Sequence, residues 1–381
     1  MSAMPAAPAP RPRRGAVLLV VLAALVVLGA ASAALAVEAR AARRAATRTL
    51  AAQRALDAAD AVAAATLPAW PALALDALAV GDVHADTVAV APDLVVARHV
   101  ARLSADAALV TATAVARPPG ADRPLARRRV QRLVALEPVA APPGAALLAS
   151  APLRAGAGVT LDGRDTLPAG WGCAPEDAAS VPAIAHAPDV PPDLAASLAG
   201  AEPHVVADSA LMLAPPLSDL LPRAGVPPPA FVASRPLVVR PVTGVTVRAS
   251  WRADGACDAA DSLNWGDPRR PSACASRLPL VHVPGDLVAP RGAGQGTLVV
   301  DGDLVLDGGW EHWGVVAVGG RIVARGMGNR VVGAVLLRGR DTTAHELSSL
   351  AVRWSSCVAA SALRAAGVVR PVGERGWREG W

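Results

Sequence analysis

Lysine and tyrosine are missing from this chain of 381 residues, and phenylalanine occurs once. Each absence removes a class of function. A Walker-type phosphate loop needs a lysine on the phosphates, so Gly292-Ala293-Gly294-Gln295-Gly296 is not one. Single-stranded nucleic acid is bound by aromatic rings interleaved with basic side chains. Here every basic residue counted is arginine, the arginines are scattered, and aromatic residues make up 3% of the chain. No nucleic acid is expected as a partner, despite a formal net charge of +5. No two of the four cysteines have the close C-x-x-C type of spacing that zinc sites use. The G-x-S-x-G elbow of hydrolases is absent, and His345-Glu346 begins like a zincin but has Ser349 where the second histidine belongs. Asp301, Asp303 and Asp307 lie among glycines as in a calcium loop. Counted from Asp301, however, the sixth and twelfth places are Leu306 and His312 rather than glycine and glutamate. No metal, no cofactor and no catalytic residue is expected, and the chain reads as a non-enzyme.

What is present begins at the N-terminus. A Pro-rich, basic tip ends in Arg13-Arg14-Gly15, an apolar run occupies 16–37, and an Ala-rich charged stretch follows to 65. A helix of about 22 residues spans roughly 33 Å, enough to cross a bilayer. The arginines ahead of it favour a cytoplasmic tip, which puts the remainder on the exported side of the inner membrane as a single-pass protein. Ala34-Leu35-Ala36 offers a competing signal-peptidase site, with cleavage after Ala36. Against it stands the stretch 38–65, which contains neither glycine nor proline and is rich in Ala, Leu, Arg and Gln. The apolar run therefore continues into a soluble helix, a continuity that a removed signal does not need. Four cysteines in an exported chain imply two disulfides. Three pairings are open. A local Cys257–Cys274 bridge would pin a loop rich in Asp, Asn, Gly and Pro, leaving Cys173 and Cys357 for the second.

Pro68 and Pro71 end the helix. Alternating runs at 94–103, 108–116 and 129–136 then predict an antiparallel β-meander within 78–137. Residues 138–249 read as a Pro-rich linker and insertion, with short helices expected near 192–200 and 216–221. Farther on the chain repeats itself. Val283-Pro284-Gly285-Asp286-Leu287 returns as Val300-Asp301-Gly302-Asp303-Leu304 and as Val318-Gly319-Gly320-Arg321-Ile322, with a looser echo at Leu337-Arg338-Gly339-Arg340. Two short strands around a glycine turn match one coil of a β-solenoid, so 250–381 is expected to be β-solenoid-like, with an outlying rung at 158–166. Asp286, Asp303 and Arg321 fall in register across the repeats, which makes a solenoid polysaccharide lyase the enzymatic alternative. Trp265, Trp310 and Trp313 are expected in the core.

Two regions carry a family resemblance. Arg14-Gly15-Ala16-Val17-Leu18-Leu19-Val20 with the long helix, and Gln53-Arg54-Ala55-Leu56-Asp57-Ala58-Ala59-Asp60-Ala61, resemble the N-terminal segment of type IV pilin-like proteins, specifically PilX-type minor pilins. Toward the C-terminus, Asn264-Trp265-Gly266-Asp267-Pro268, Gly333-Ala334-Val335, Ser355-Ser356-Cys357 and Arg375-Gly376-Trp377 are similar to related pilus-assembly proteins. The resemblance implies a leader at 1–15, cleavage by a prepilin peptidase after Gly15 and methylation at Ala16. It also implies contact with other pilins through the 16–66 helix, of which 16–37 lies in the membrane. Major pilins carry glutamate at the fifth mature position; here it is Val20, a departure shared with some subunits thought to sit at filament tips. The fold class expected is α+β: a long N-terminal membrane-spanning pilin-like helix, a short antiparallel β-meander and a C-terminal β-solenoid-like domain. The function implied is that of a minor pilin in a type IV pilus or a type II secretion-like pseudopilus. The rival is a membrane-anchored or exported envelope binding protein.

Overall fold

The computed structural model describes residues 14–75, 78–120, 122–174, 178–209, 217–221, 231–232, 237–240, 242–269, 271–339, 344–372 and 377–380. Its fold is α+β. Helix α1, Arg14–Thr66, runs for 53 residues without a break, because alanine, leucine and arginine favour helix and nothing in it interrupts the hydrogen-bond ladder. It has two regimes. Residues 18–50 are exposed on every side. From there on one stripe is buried: Ala51, Ala55, Ala58, Ala59, Val62 and Ala63. Steps of three and four residues bring these onto one face, and their small side chains let the helix lie close against a sheet. Leu67, Trp70 and Leu75 close the end of that contact.

The sheet is an antiparallel meander of β1 (Val83–Ala91), β2 (Leu94–Arg102), β3 (Ala107–Ala116) and β4 (Ala126–Glu137). Alternation decides its faces. Leu94, Val96, Val100, Val110, Ala112, Ala114, Val130 and Val134 pack toward α1, whereas His99 is exposed. Arg98 points inward and is buried, ion-paired with Asp86. That hydrogen bond holds the Asp86 carboxyl below the usual range, against a smaller opposing effect of burial. The meander is completed from the far end of the chain: Val368–Pro371 and Trp377–Gly380 both pair antiparallel with β4, and Val369 joins the helix–sheet core. The sequence leads one to expect all of 250–381 in the solenoid. The last strands leave it because β4 is twelve residues long and offers the remaining C-terminal segments a free edge.

The solenoid is built from three ladders of parallel strands. The first stacks 205–207, 184–186, 147–149, 335–337, 315–318, 297–300, 280–283 and 237–238. The second stacks 193–194, 153–155, 345–347, 322–324, 304–306, 287–288 and 242–243. The third stacks 197–199, 159–162, 350–353, 330–333, 310–314, 292–295 and 246–247. Inside lies one aliphatic core that includes Leu147, Leu153, Leu161, Ile184, Leu280, Leu287, Leu298, Leu304, Val316, Ile322 and Val335.

The order of rungs in space is not their order in sequence. The rung formed by 147–162 sits beside the last one, 335–353, and 184–199 stacks outward from it. The chain then begins again at the opposite end with 237–247 and returns rung by rung. This corrects the linker and insertion expected over 138–249, much of which forms rungs. The helix expected near 192–200 is instead two strands, Asp193–Leu194 and Ser197–Ala199. Stacking on a neighbouring rung overrides the weak local propensity of such a short segment. At the other helix expected there, Leu217–Leu220 form one turn of 3-10 helix.

Helix α2, Ser356–Ala365, packs on the third ladder and buries Val358, Ala359, Ala362 and Leu363. Its N-terminus is held twice, by Ser355 accepting from the Val358 N–H and by Asp165, whose carboxylate accepts from the Ser356 N–H at 3.0 Å. Disulfides join Cys173 to Cys357, in the first turn of α2, and Cys257 to Cys274.

Candidate functional site: the projecting helix and the solenoid corners

Gly15 and Ala16 lie at the start of α1. Beyond them the apolar run is fully presented: Leu19 is 71% exposed, and Leu22, Leu25, Val26 and Leu28 are all open. The unpacked part, 18–50, extends about 50 Å at 1.5 Å per residue. Its apolar portion, 18–37, covers about 30 Å of that length. A contiguous apolar surface of that size requires a cover of lipid or protein, and α1 is long and apolar enough to cross a membrane. Where the apolar run stops, the helix surface becomes arginine: Arg40, Arg43, Arg44 and Arg48 are all exposed. The next arginine, Arg54, is the first with an acidic partner, Asp93 at 3.4 Å.

In the solenoid, the residues that suggested a lyase serve the turns. Asp286 and Asp303 do stand in register, and each carboxylate caps the following rung. Asp286 Oδ1 accepts from the Asp303 N–H at 2.8 Å, and Asp303 Oδ1 accepts from the Arg321 N–H at 2.7 Å. The Arg321 guanidinium closes on Asp303 at 3.1 Å. The aspartates of the calcium-like stretch diverge to separate partners, Asp301 to His282 at 2.9 Å and Asp307 to Arg325 at 2.6 Å. Among the described residues no three His, Cys, Asp or Glu side chains gather as metal ligands. Trp265 and Trp310 are buried, while Trp313 is half-buried, stacked 5.7 Å from Trp171, with Arg330 over its ring. The dipeptide His345-Glu346 is split by the strand: His345 points into the core and Glu346 to solvent. Arg375 and Gly376 of the terminal motif lie outside the described residues.

Two buried histidines are the strongly perturbed groups. His345 pairs across the ladder with Leu153, and its Nδ1 accepts from the Ile322 N–H at 3.2 Å. Burial pushes its pKa down to about 4, a nearby Asp303 opposing. His312 lies against Trp310 at 5.5 Å and donates from Nε2 to the Gly296 carbonyl at 3.0 Å. Burial lowers it also to about 4, partly offset by that hydrogen bond. Both pKa values are depressed on folding, so the folded state binds fewer protons than the unfolded one between pH 6.5 and about 4. The stability is fully present above 6.5 and is lost as pH falls through that window. Each histidine should account for a loss of about 2–3 kcal/mol. The urea midpoint of the full chain, measured at pH 7 and pH 4.5, should fall steeply on acidification, and His345→Leu should flatten the slope by about half. An unchanged slope in that variant would assign the acid sensitivity to other groups.

The reading of the sequence missed three determinants: the arginine band of α1, the docking of the C-terminal strands on β4, and a second glycine series. Gly296, Gly314 and Gly333 stand opposite one another across adjacent strands, each with positive φ. Their spacing follows the same period as the turn glycines, which is the signal that could have revealed them.

No protein-family model matches the chain, and no curated protein matches it. Among solved structures, the competence-associated pilin ComZ from Thermus thermophilus is similar at 11% identity, covering 80% of this chain and 87% of that one, with a TM-score of 0.20. A superposition that loose carries no inference about fold or activity.

Proposed function

We propose that the chain is a minor-pilin-like subunit of a type IV pilus or a related pseudopilus, with an assembly role rather than a catalytic one. The observation that carries this reading is the division of α1: one unbroken helix whose apolar first part is wholly exposed and whose last part is packed on an antiparallel sheet. The exposed part needs two successive covers, the inner membrane before assembly and the helices of other pilins afterwards. The solenoid would then project from the filament, and the lack of a carboxylate at Val20, which some minor pilins and pseudopilins thought to sit at the filament tip share, suits a place at its tip. A prepilin peptidase would cut after Gly15 and leave Ala16 methylated. A plainly anchored envelope protein would keep the same helix but would not be cut there.

Mass spectrometry of the membrane-purified protein tests this. The expected mature chain begins at Ala16 and carries an added methyl. An N-terminus at Val37 would mean that a signal peptide had been removed, and an uncut chain would leave the plain anchor. Either result overturns the assembly reading.

A further inference from the structure

The arginine band of α1 conflicts with the orientation of the helix. Arginines next to a membrane span favour the cytoplasmic side. This span has Arg11, Arg13 and Arg14 before it, but Arg40, Arg43, Arg44 and Arg48 directly after it. Between Glu38 and Asp57 there is no acidic residue to offset them. Within the protein their charge is not neutralised: the four are exposed, and among the described residues none has an ion-pair partner. Arg54, on the packed part of the same helix, has Asp93. Arg40, Arg44 and Arg48 share one helix face at four-residue steps, with Arg43 beside them. They begin about 5 Å beyond the last apolar residue, Val37, and end about 17 Å beyond it. In a spanning helix this is the level of the head groups, and its lower part is the level of the lipid phosphates. Guanidinium binds phosphate through paired N–H donors, and basic residues beside a membrane attract anionic lipid.

We propose that Arg40, Arg43, Arg44 and Arg48 form a collar that binds the phosphates of anionic phospholipids at the exported surface of the membrane. The collar seats α1 at a fixed depth while the subunit waits in the bilayer. It rests on the membrane-spanning part of the proposed function, and it holds for a chain cut after Gly15 or left uncut but not for one cut after Ala36.

The test uses the full chain in nanodiscs of phosphatidylglycerol and phosphatidylcholine in equal parts. The phospholipid retained on the protein after extraction into mild detergent is counted by native mass spectrometry. The wild type should retain the anionic lipid over the zwitterionic one by about fivefold or more at low salt, and less at high salt. Inorganic phosphate at millimolar concentration should not displace it; if it does, the site is one for free phosphate and the lipid collar is wrong. The variant Arg40→Gln, Arg43→Gln, Arg44→Gln, Arg48→Gln should lose the preference while keeping its far-UV circular dichroism and both disulfides, since none of the four side chains packs on the exported part. Equal retention of the two lipids by the wild type would overturn the proposal. So would a variant that keeps the preference, and if that variant also lost self-association the arginines would belong to a contact with acidic residues of a second copy. A chain that fails to insert at all would instead count against the membrane reading of α1.

Discussion

Gly314→Val should cost the solenoid about 4 kcal/mol or more. Gly296, Gly314 and Gly333 lie at φ of 102°, 141° and 130°, backbone that side chains other than hydrogen rarely adopt. They mark the corner where one long strand passes from the third ladder to the first. The corner also stacks tightly. A Cβ on Gly314 would overlap the carbonyl oxygen of Gly296 and press on the Cβ of Ala362 in α2, and one on Gly333 would overlap the carbonyl oxygen of Gly314. The obstacle is backbone on the neighbouring rung, so the strain cannot be relieved by turning a side chain. Urea unfolding followed by tryptophan fluorescence is the measurement, because Trp265 and Trp310 are buried in this part of the molecule. As a control, Val305→Thr, on the outward row of the second ladder, should shift the midpoint by no more than about 0.5 kcal/mol equivalent. If Gly314→Val were as mild as the control, the corner would not constrain the stack.

The second large effect concerns the two disulfides, which should not be equal. Cys173–Cys357 closes a loop of 184 residues and Cys257–Cys274 a loop of 17. Chain entropy assigns about 5 kcal/mol to the first and about 3 kcal/mol to the second. The longer bridge also ties the segment after the 147–162 rung to the first turn of α2, beside the Asp165 cap. Cys173→Ser with Cys357→Ser should therefore lower stability more than Cys257→Ser with Cys274→Ser. Unfolding of the two double variants under the same conditions checks the order, and a reversal would mean that local pinning of the 257–274 loop outweighs the long closure.

Several parts of this architecture were readable from local chemistry. The uninterrupted helix formers of 38–65 predict the continuity of α1, and the alternation in β2, β3 and β4 predicts the meander. The glycine period predicts the rungs between 280 and 347, because each coil must turn at the same place. Of the rungs at 147–162 and 184–199, the part expected as an outlying rung at 158–166 is present as the strand Val159–Asp162, and the rest were hidden for a physical reason. Their strands are two to four residues long, Pro152, Pro188, Pro191 and Pro192 lie between them, and their partners lie on rungs distant in sequence, so no run of alternation marks them. The docking of Val368–Pro371 on β4 is of the same kind, a pairing across more than two hundred residues. Of the site, the apolar run could be read directly. Gly15 and Ala16 rest on family resemblance, and the four arginines gain meaning only when the packed and unpacked parts of α1 are seen to divide at Ala51.

The meander and the solenoid are joined by more than one passage of the chain: besides those at Glu137 and Val368, the short strand Phe231–Val232 pairs antiparallel with Val369 and Val368. The chain leaves β4 at Glu137 and comes back from α2 into Val368, and the two passages run side by side. Val139 donates its N–H to the Leu363 carbonyl at 3.0 Å, and Arg364 pairs with Asp106 at 2.5 Å. A load hung from one cord spins freely, whereas one held at several points resists twisting. Torque applied to the solenoid is thus passed to the meander and, through the buried alanine stripe, to α1, so the outer body turns with its stalk instead of swivelling on it.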